Sequence, residues 1–376
     1  MDKNYRMCSR CVMDTTAKDI TFDDNGVCNY CVEFLKRSSN IIFKDSGAKK
    51  KEFDALVEKV KKDGEGKPYD CIVGVSGGVD SSWVLVKAVE SGLKPLAVHM
   101  DNGWNSELAQ NNISNLVQKL GLDLYTHVIN WEEYKKLMQA FFDADVIDVE
   151  MLYDNAMLAV NYRMAAKYGI KHILSGANRA TEGLRMPADW NWLKFDKKNI
   201  KSIAKKFQGV SLKTFPAVGT KGLVAYKLFY RIKWQSLLNY IDYDKFLAME
   251  ALQKDFGYKP YPYKHYESVF TRFYQGYLLP KKFGVDKRKV HLSALIISGQ
   301  MSREDALEGL KGSIAYPSEK ALEEDILYFL KKMGWSKDQL EDYLSRPGKP
   351  HLDYPSEKPL FDFFCKLYRA FFCRSL

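Results

Sequence analysis

The sequence predicts an α/β fold: a parallel sheet with helices on both faces, an N-terminal zinc-binding knuckle segment before it and a helical C-terminal region after it. Three observations predict it. Between Cys71 and Gly176, short apolar runs alternate with longer stretches of helical character, as strands buried on both faces do. Four of the seven cysteines stand as Cys8-x2-Cys11 and Cys28-x2-Cys31. Beyond Pro187 the strand-like runs give way to aromatic, basic sequence such as YKLFYRIKWQSLLNYI.

Residues 1–45 hold the two cysteine pairs, with sixteen residues between them. Two such knuckles supply four thiolates to one tetrahedral zinc, which can organise a segment too short to bury its own core. Residues 46–69 read as a charged helical linker that ends at Gly64, Gly66 and Pro68. The sheet domain spans 70–186: strand CIVGV, a helix from Val79 to Ser91, strand PLAVHM, a helix from Ser106 to Leu120, strand LDLYTHVI, helices through Gly169 and strand KHILSG. In such sheets the ligand lies at the carboxyl ends of the strands. Residues 187–376 read as a substrate or partner region dominated by helices. Ser302-x-x-Asp305 and Ser336-x-x-Gln339 mark two helix starts there, and PLFDFFCKLYRAFF makes a last helix.

The chain has 376 residues, 46% of them hydrophobic, which is ample for a core. It has no apolar run of membrane-spanning length and no signal-peptide layout at its start, so a cytoplasmic protein without membrane insertion is expected. Disulfides fit poorly with that setting, which favours zinc at the four cysteines. Cys71, Cys365 and Cys373 lie in apolar or aromatic surroundings and read as packing residues. The formal charge is +10, from 57 basic and 47 acidic residues. Residues 191–240 alone carry eleven Lys or Arg against a single acid, Asp196. A patch of that kind suits an anionic partner, although a solvated helix face explains it as well.

The stretch CIVGVSGGVDSSWVL carries the chemistry. Gly74-Val75-Ser76-Gly77-Gly78 fits the G-x-S-x-G of a nucleophile elbow, but that elbow borrows an oxyanion-hole amide from an earlier strand–helix loop. Ser76 follows the first strand of its domain, so the esterase reading fails. The residues suit a phosphate loop instead: glycines let the backbone approach an anion, and the first helical N–H groups point at it. Neither a Walker A lysine nor G-x-G-x-x-G is present.

Ser76 to Ser82 resembles the S-G-G-x-D-S-[ST] signature of the PP-loop ATP pyrophosphatases, which have an adenine nucleotide alpha-hydrolase-like fold. The resemblance implies that Ser76, Gly77, Gly78, Asp80, Ser81 and Ser82 hold the pyrophosphate of ATP, with Asp80 also binding Mg²⁺ directly or through water. A helix-capping carboxylate is the plainer reading of Asp80. Asp101 in VHMDNGWNS, and Gly176 and Asn178 in LSGANRATEG, would line the same crevice. Asp101 is equally placed to form an Asp-Asn-Gly turn.

Over nearly its whole length the chain resembles the N-acetyl sugar amidotransferase family of the WbpG/PseA type, which acts in lipopolysaccharide O-antigen and surface-glycan biosynthesis. The residues that carry this are CSRCVMDTT and ITFDDNGVCNYC, the PP-loop, LSGANRATEGLRMPADWNW and KHYESVFTRFYQGYLLPKKFG. The resemblance implies an ATP-dependent C–N ligase that adenylates an acetamido oxygen of an anionic sugar nucleotide and lets ammonia displace AMP, leaving an acetamidino group. The implied cofactors are ATP, Mg²⁺ and Zn²⁺. No cysteine here is placed as a glutaminase nucleophile, so ammonia would arrive from outside, from a partner glutaminase or as free ammonium; the resemblance implies a glutaminase and a cyclase-like partner similar to the two subunits of imidazole-glycerol-phosphate synthase. Glu182, His265 and Glu267, with Asp80, are the candidate catalytic residues. Arg185, Trp190, Trp192, Lys264 and Arg272 are the candidate substrate contacts. For Glu182 a helix cap, and for His265 a packed core histidine, are the plainer readings. The competing expectation is a zinc-ribbon PP-loop enzyme that modifies tRNA, as a thiolase does. It is disfavoured, with nucleic acid, because only Cys71 lies near the crevice to carry sulfur.

Overall fold

The computed structural model of the chain describes residues 5–261, 267–312 and 316–372. After the cysteine segment come α1 (Asn29–Ile42) and α2 (Ser46–Gly64), then β1 (Cys71–Gly74), α3 (Val79–Glu90), β2 (Pro95–Asp101), α4 (Glu107–Leu120) and β3 (Leu124–Val128). The chain continues through α5 (Trp131–Asp143), α6 (Met151–Lys167), β4 (His172–Ser175), α7 (Arg179–Glu182), α8 (Lys197–Gln208), α9 (Thr220–Leu228) and β5 (Lys233–Ser236). The helical remainder is α10 (Lys245–Phe256), α11 (Val269–Phe273), which runs into a π-helix over Tyr274–Phe283, α12 (Arg288–Ile297), α13 (Arg303–Gly309), α14 (Glu319–Met333), α15 (Lys337–Ser345) and α16 (Lys358–Phe372).

All strand pairings are parallel, in the order β3-β2-β1-β4-β5. Side chains alternate between the two faces, as strand geometry requires. Ile72, Leu96, Val98 and Ile173 join one core, while Cys71, Val73, Ala97 and Leu174 join the other. Because β1 leads outward to β2 and β4 returns on its far side, the order reverses between β1 and β4. That reversal opens a crevice at their carboxyl ends.

Two expected boundaries are corrected. The sheet does not stop near residue 186: β5, from the basic segment, pairs with β4 from His172↔Lys233 to Ser175↔Ser236. The stretch 46–69 is not a free linker either, since α2 buries Leu56, Val57 and Val60 in the core that covers α3. The helix starts follow the sequence signals. Ser302 accepts from the Asp305 amide, and Ser336 and Gln339 form a full capping box.

Candidate active site

The loop between β1 and α3 is held tightly by its neighbours. Gly77 has φ +83°, and a Cβ there would stand 2.9 Å from the Ala109 carbonyl oxygen on α4. Neither the left-handed backbone nor the close approach admits a side chain. Across the switch point, a Cβ on Gly176 would lie 2.7 Å from the Ser81 amide nitrogen. The loop after β4 therefore rests on the first turn of α3. Within the loop, the Ser76 hydroxyl accepts the Gly78 amide at 3.3 Å, and the Ser81 hydroxyl donates to the Gly78 carbonyl at 3.1 Å. The N-terminus of α3 favours an anion at this point.

Residues beyond the motif complete the loop's surroundings. The Tyr243 hydroxyl donates to Asp80 Oδ1, and burial pushes this phenol far above its ordinary value, so it stays a donor. The Tyr261 hydroxyl donates to the Gly77 carbonyl at 3.2 Å. Residues 267–269 dock on 104–106 through a β-bridge, with Ser106 N–H donating to the Glu267 carbonyl at 2.9 Å. This docking sets the Glu267 carboxylate against the loop, where Oε1 would be 3.1 Å from a Cβ on Gly78. His99 is neutral: it bonds the Val75 carbonyl through Nδ1 at 2.8 Å and the Asn105 amide through Nε2 at 2.9 Å, and burial lowers its pKa.

From the loop a cavity of about 660 Å³ runs along α6. Glu150, Tyr153, Asp154, Met157 and Asn161 line it at helical spacing, so one face of the helix forms its floor over roughly 16 Å. Near the loop, Asn161 donates its amide to the Met157 carbonyl at 2.9 Å, which leaves Oδ1 buried in the wall without a partner in the protein. The buried hydroxyl of Tyr258, another lining residue, also lacks a partner among the described residues. One acceptor and one donor are thus left for a ligand, since buried polar groups are nearly always paired.

The far end is charged. Lys194 bridges Asp148 at 2.6 Å and Asp154 at 2.9 Å, and Lys287 meets Glu150 at 2.9 Å with Gln275 bonded to the same carboxylate. Burial pushes the Asp154 carboxyl above its ordinary value. Burial also opposes ionisation of Asp148, yet Lys194 and Lys287 hold it below the usual range.

The predicted residues divide into two sets. Ser76, Gly78, Asp80, Ser81, Gly176, Glu182 and Glu267 line the cavity, while Gly77 in the loop and Ser82 in the first turn of α3 lie outside its lining. Asp101 takes the turn role: Oδ1 accepts the Gly103 amide at 2.8 Å and the Asn105 amide at 3.2 Å, and Asn102 and Asn105 line the cavity in its place. Asn178 caps α7 by accepting the Thr181 amide at 2.8 Å. Four expected substrate contacts are not brought to the cavity. Arg185 pairs with Glu33 at 2.8 Å and Asp19 at 2.9 Å, over the Tyr30 ring. Trp190 is buried in the core, and Trp192 stacks on His351 while donating to Asp196 at 2.9 Å. Arg272 forms a two-point ion pair with buried Asp325. Lys264 and His265 lie outside the described residues. The basic segment lies mostly away from the cavity. Lys198, Lys201, Lys205, Lys206, Lys213, Lys221, Lys227, Arg231 and Lys233 are exposed on the outside, and Lys194 is the segment's cation in the lining.

Tyr243, Tyr258, Asn161, Glu150, Asp154 and Lys287 were missed by sequence reasoning. Asp154 and Asn161 on α6, with Glu150 at its N-cap, had a signal, polar residues on one stripe of an otherwise buried helix. The others come from distant segments and had none.

The four cysteines are placed to hold a zinc ion. Their sulfurs are buried and all within 4.8 Å of one another, with Cys8 Sγ 3.9 Å from Cys31 Sγ and Cys11 Sγ 3.8 Å from Cys28 Sγ. Thiolates about 2.3 Å from a tetrahedral zinc stand about 3.8 Å apart. The Cys28 amide points at Cys8 Sγ from 3.2 Å and the Met13 amide at Cys11 Sγ from 3.4 Å, the second set of contacts that steadies such ligands. The segment docks on α12 and α13: Lys289 pairs with Asp14 at 2.5 Å, and Arg303 donates to the Cys8 and Cys11 carbonyls at 3.2 Å. Cys71 is fully buried in β1, and among the described residues no cysteine lines the cavity.

Residues 49–208 match the NAD synthase family, and residues 267–368 match the family described as LPS biosynthesis protein WbpG-like, C-terminal domain. No curated protein matches the chain. Among solved structures it is similar to an NMN synthetase from Francisella tularensis, at 14% identity over 48% of this chain and 92% of that one, with a TM-score of 0.29. An NH3-dependent NAD synthetase from Campylobacter jejuni is 17% identical over 58% of this chain and 100% of its own, with a TM-score of 0.28. A predicted subunit of tRNA methyltransferase from Methanocaldococcus jannaschii is 13% identical over 44% and 66%, with a TM-score of 0.27. The chain thus carries an NAD-synthase-type domain followed by a WbpG-like C-terminal domain.

Proposed function

We propose that this protein is an ATP-dependent amidotransferase that converts an acetamido group of an N-acetyl sugar to an acetamidino group in lipopolysaccharide or surface-glycan biosynthesis. The observation that carries the reading is a single cavity with the PP-loop at one end and the Glu150–Lys287 and Asp154–Lys194 pairs at the other. ATP takes the loop end, and a sugar rich in hydroxyl and amide groups takes the polar end. The family matches supply the reaction class, C–N bond formation and glycan assembly.

An amide carbonyl is a poor electrophile, and its oxygen does not leave unaided. In the proposed reaction the amide oxygen attacks the α-phosphorus and pyrophosphate departs. Ammonia then adds to the imidate carbon, AMP leaves with the oxygen, and a proton is lost to a nearby base. The loop amides and the start of α3 stabilise the phosphate charge, and the buried Tyr258 hydroxyl donates to a phosphate oxygen. Mg²⁺ bound with ATP would supply further charge neutralisation, and Asp80 and Glu267 are the carboxylates that would hold it. Glu182 and Asp154, the latter raised by burial, are placed to take the proton lost from ammonium. Ammonia itself would come from a glutaminase and cyclase-like partner pair; among the described residues no cysteine lines the cavity.

The test is an assay of the full chain with ATP, Mg²⁺, ammonium and a set of diacetamido sugar nucleotides. The expected product has NH in place of one acetamido oxygen, formed together with AMP and pyrophosphate. Formation of AMP only when tRNA replaces the sugars would sink the proposal.

A further inference from the structure

We propose that the turn Lys227-Leu228-Phe229-Tyr230-Arg231 docks the protein on an anionic membrane surface. All five residues are exposed, and the three at the tip are apolar or aromatic: Leu228 is 67% exposed, Phe229 83% and Tyr230 54%. Three such side chains in a row are not ordinary surface scatter. The turn is a built feature. Phe229 N–H donates to the Ala225 carbonyl at 2.9 Å, and Ile232 N–H closes the base on the Tyr226 carbonyl at 3.0 Å. Below it, Tyr226 stacks on buried Tyr162 at 5.0 Å, and Ile232 is buried. Arg231 has φ +55°, a conformation rare outside glycine, which turns the chain back into β5.

Charge selects the occupant. No Asp or Glu occurs from Lys197 to Tyr240, and exposed Lys221, Lys227, Arg231 and Lys233 bracket the apolar tip in the sequence. An apolar tip among basic residues suits the boundary between acyl chains and anionic headgroups, where side chains insert while cations remain at the surface. A second copy would set like charges against each other. Among the described residues no helix is long and apolar enough to cross a membrane, so the contact is peripheral. None of the five residues lines the cavity. The proposal rests on this surface alone and holds whatever the reaction.

The test is co-sedimentation of the full chain with vesicles of phosphatidylcholine alone, or of phosphatidylcholine with phosphatidylglycerol. Wild-type chain should sediment with the anionic vesicles only, and salt should release it. The triple variant Leu228→Ser, Phe229→Ser, Tyr230→Ser and the charge variant Lys227→Glu, Arg231→Glu should each bind roughly tenfold less, with unchanged melting temperature. Absence of wild-type binding, or equal binding by the triple variant, overturns the proposal. A wild-type dimer that the triple variant dissociates would assign the turn to a second copy instead.

Discussion

At the scale of single residues, the site is defined by polar groups the fold leaves unpaired. The Tyr258 hydroxyl and Asn161 Oδ1 are buried without partners, which costs folding free energy unless a ligand meets them. Tyr258→Phe removes an unpaired donor, so it should raise stability by about 1 kcal/mol while weakening ATP binding roughly tenfold. Thermal melting and titration calorimetry would read the two effects separately. Loss of stability with unchanged ATP affinity would show that the hydroxyl serves the fold and not the nucleotide. The sequence made the phosphate loop legible because a contiguous motif states its own backbone needs: Gly77 and Gly176 have no room for a Cβ. It could not identify Tyr243 or Tyr258, because a tyrosine in an aromatic-rich segment looks the same whether it packs or donates. Arg185, Trp192 and Arg272 misled for the same reason, since each satisfies its polar atoms against neighbours that the sequence does not bring together.

At the scale of elements, the cysteine segment acts as a brace for the cavity wall. Cys28 precedes α1 and Cys31 lies in its first turn, while Arg185, just past α7, grips Glu33 of α1 and Asp19 of the knuckle. Glu182, at the end of α7, lines the cavity. A zinc ion held by the four thiolates would set the position of α1 and, through Arg185, of α7. Cys11→Ser, or prolonged treatment with a strong chelator, should therefore release about one zinc per chain and leave the first forty or so residues open to protease. ATP affinity should fall only modestly, because the loop and α3 are held by β1, β4 and α4. Retention of zinc by the variant, or full protection from protease after its release, would contradict this. The cysteine spacing and the apolar strands were legible at this scale. β5 was not: its four residues, KWQS, lack the apolar run that marks the equally short β1 and β4, and only pairing with β4 makes them a strand.

At the scale of the whole molecule, distant segments are tied together by a histidine that no motif marks. His351 is buried, donates through Nδ1 to Asn199 at the start of α8 at 2.8 Å, and accepts the Asp148 amide through Nε2 at 3.3 Å. Trp192 stacks on its ring at 5.0 Å, and Asp148 in turn holds Lys194 in the cavity wall. Burial lowers its pKa from 6.5 to about 4, so the folded chain keeps the ring neutral over a range in which the unfolded chain protonates it. The unfolded state then binds more protons, and stability rises with pH. The contribution is complete above pH 6.5 and is lost as pH falls toward 4, by an amount on the order of 3 kcal/mol. His351→Gln, which cannot titrate, should be less stable at neutral pH through loss of the ring stack, yet its melting temperature should fall less than that of wild type between pH 6.5 and 4. Parallel melting curves for the two proteins across that window would show that acid unfolding is governed by other groups. A smaller slope for the variant would place the acid-sensitive tie of the molecule at the junction of α8, the start of α6 and the segment before α16.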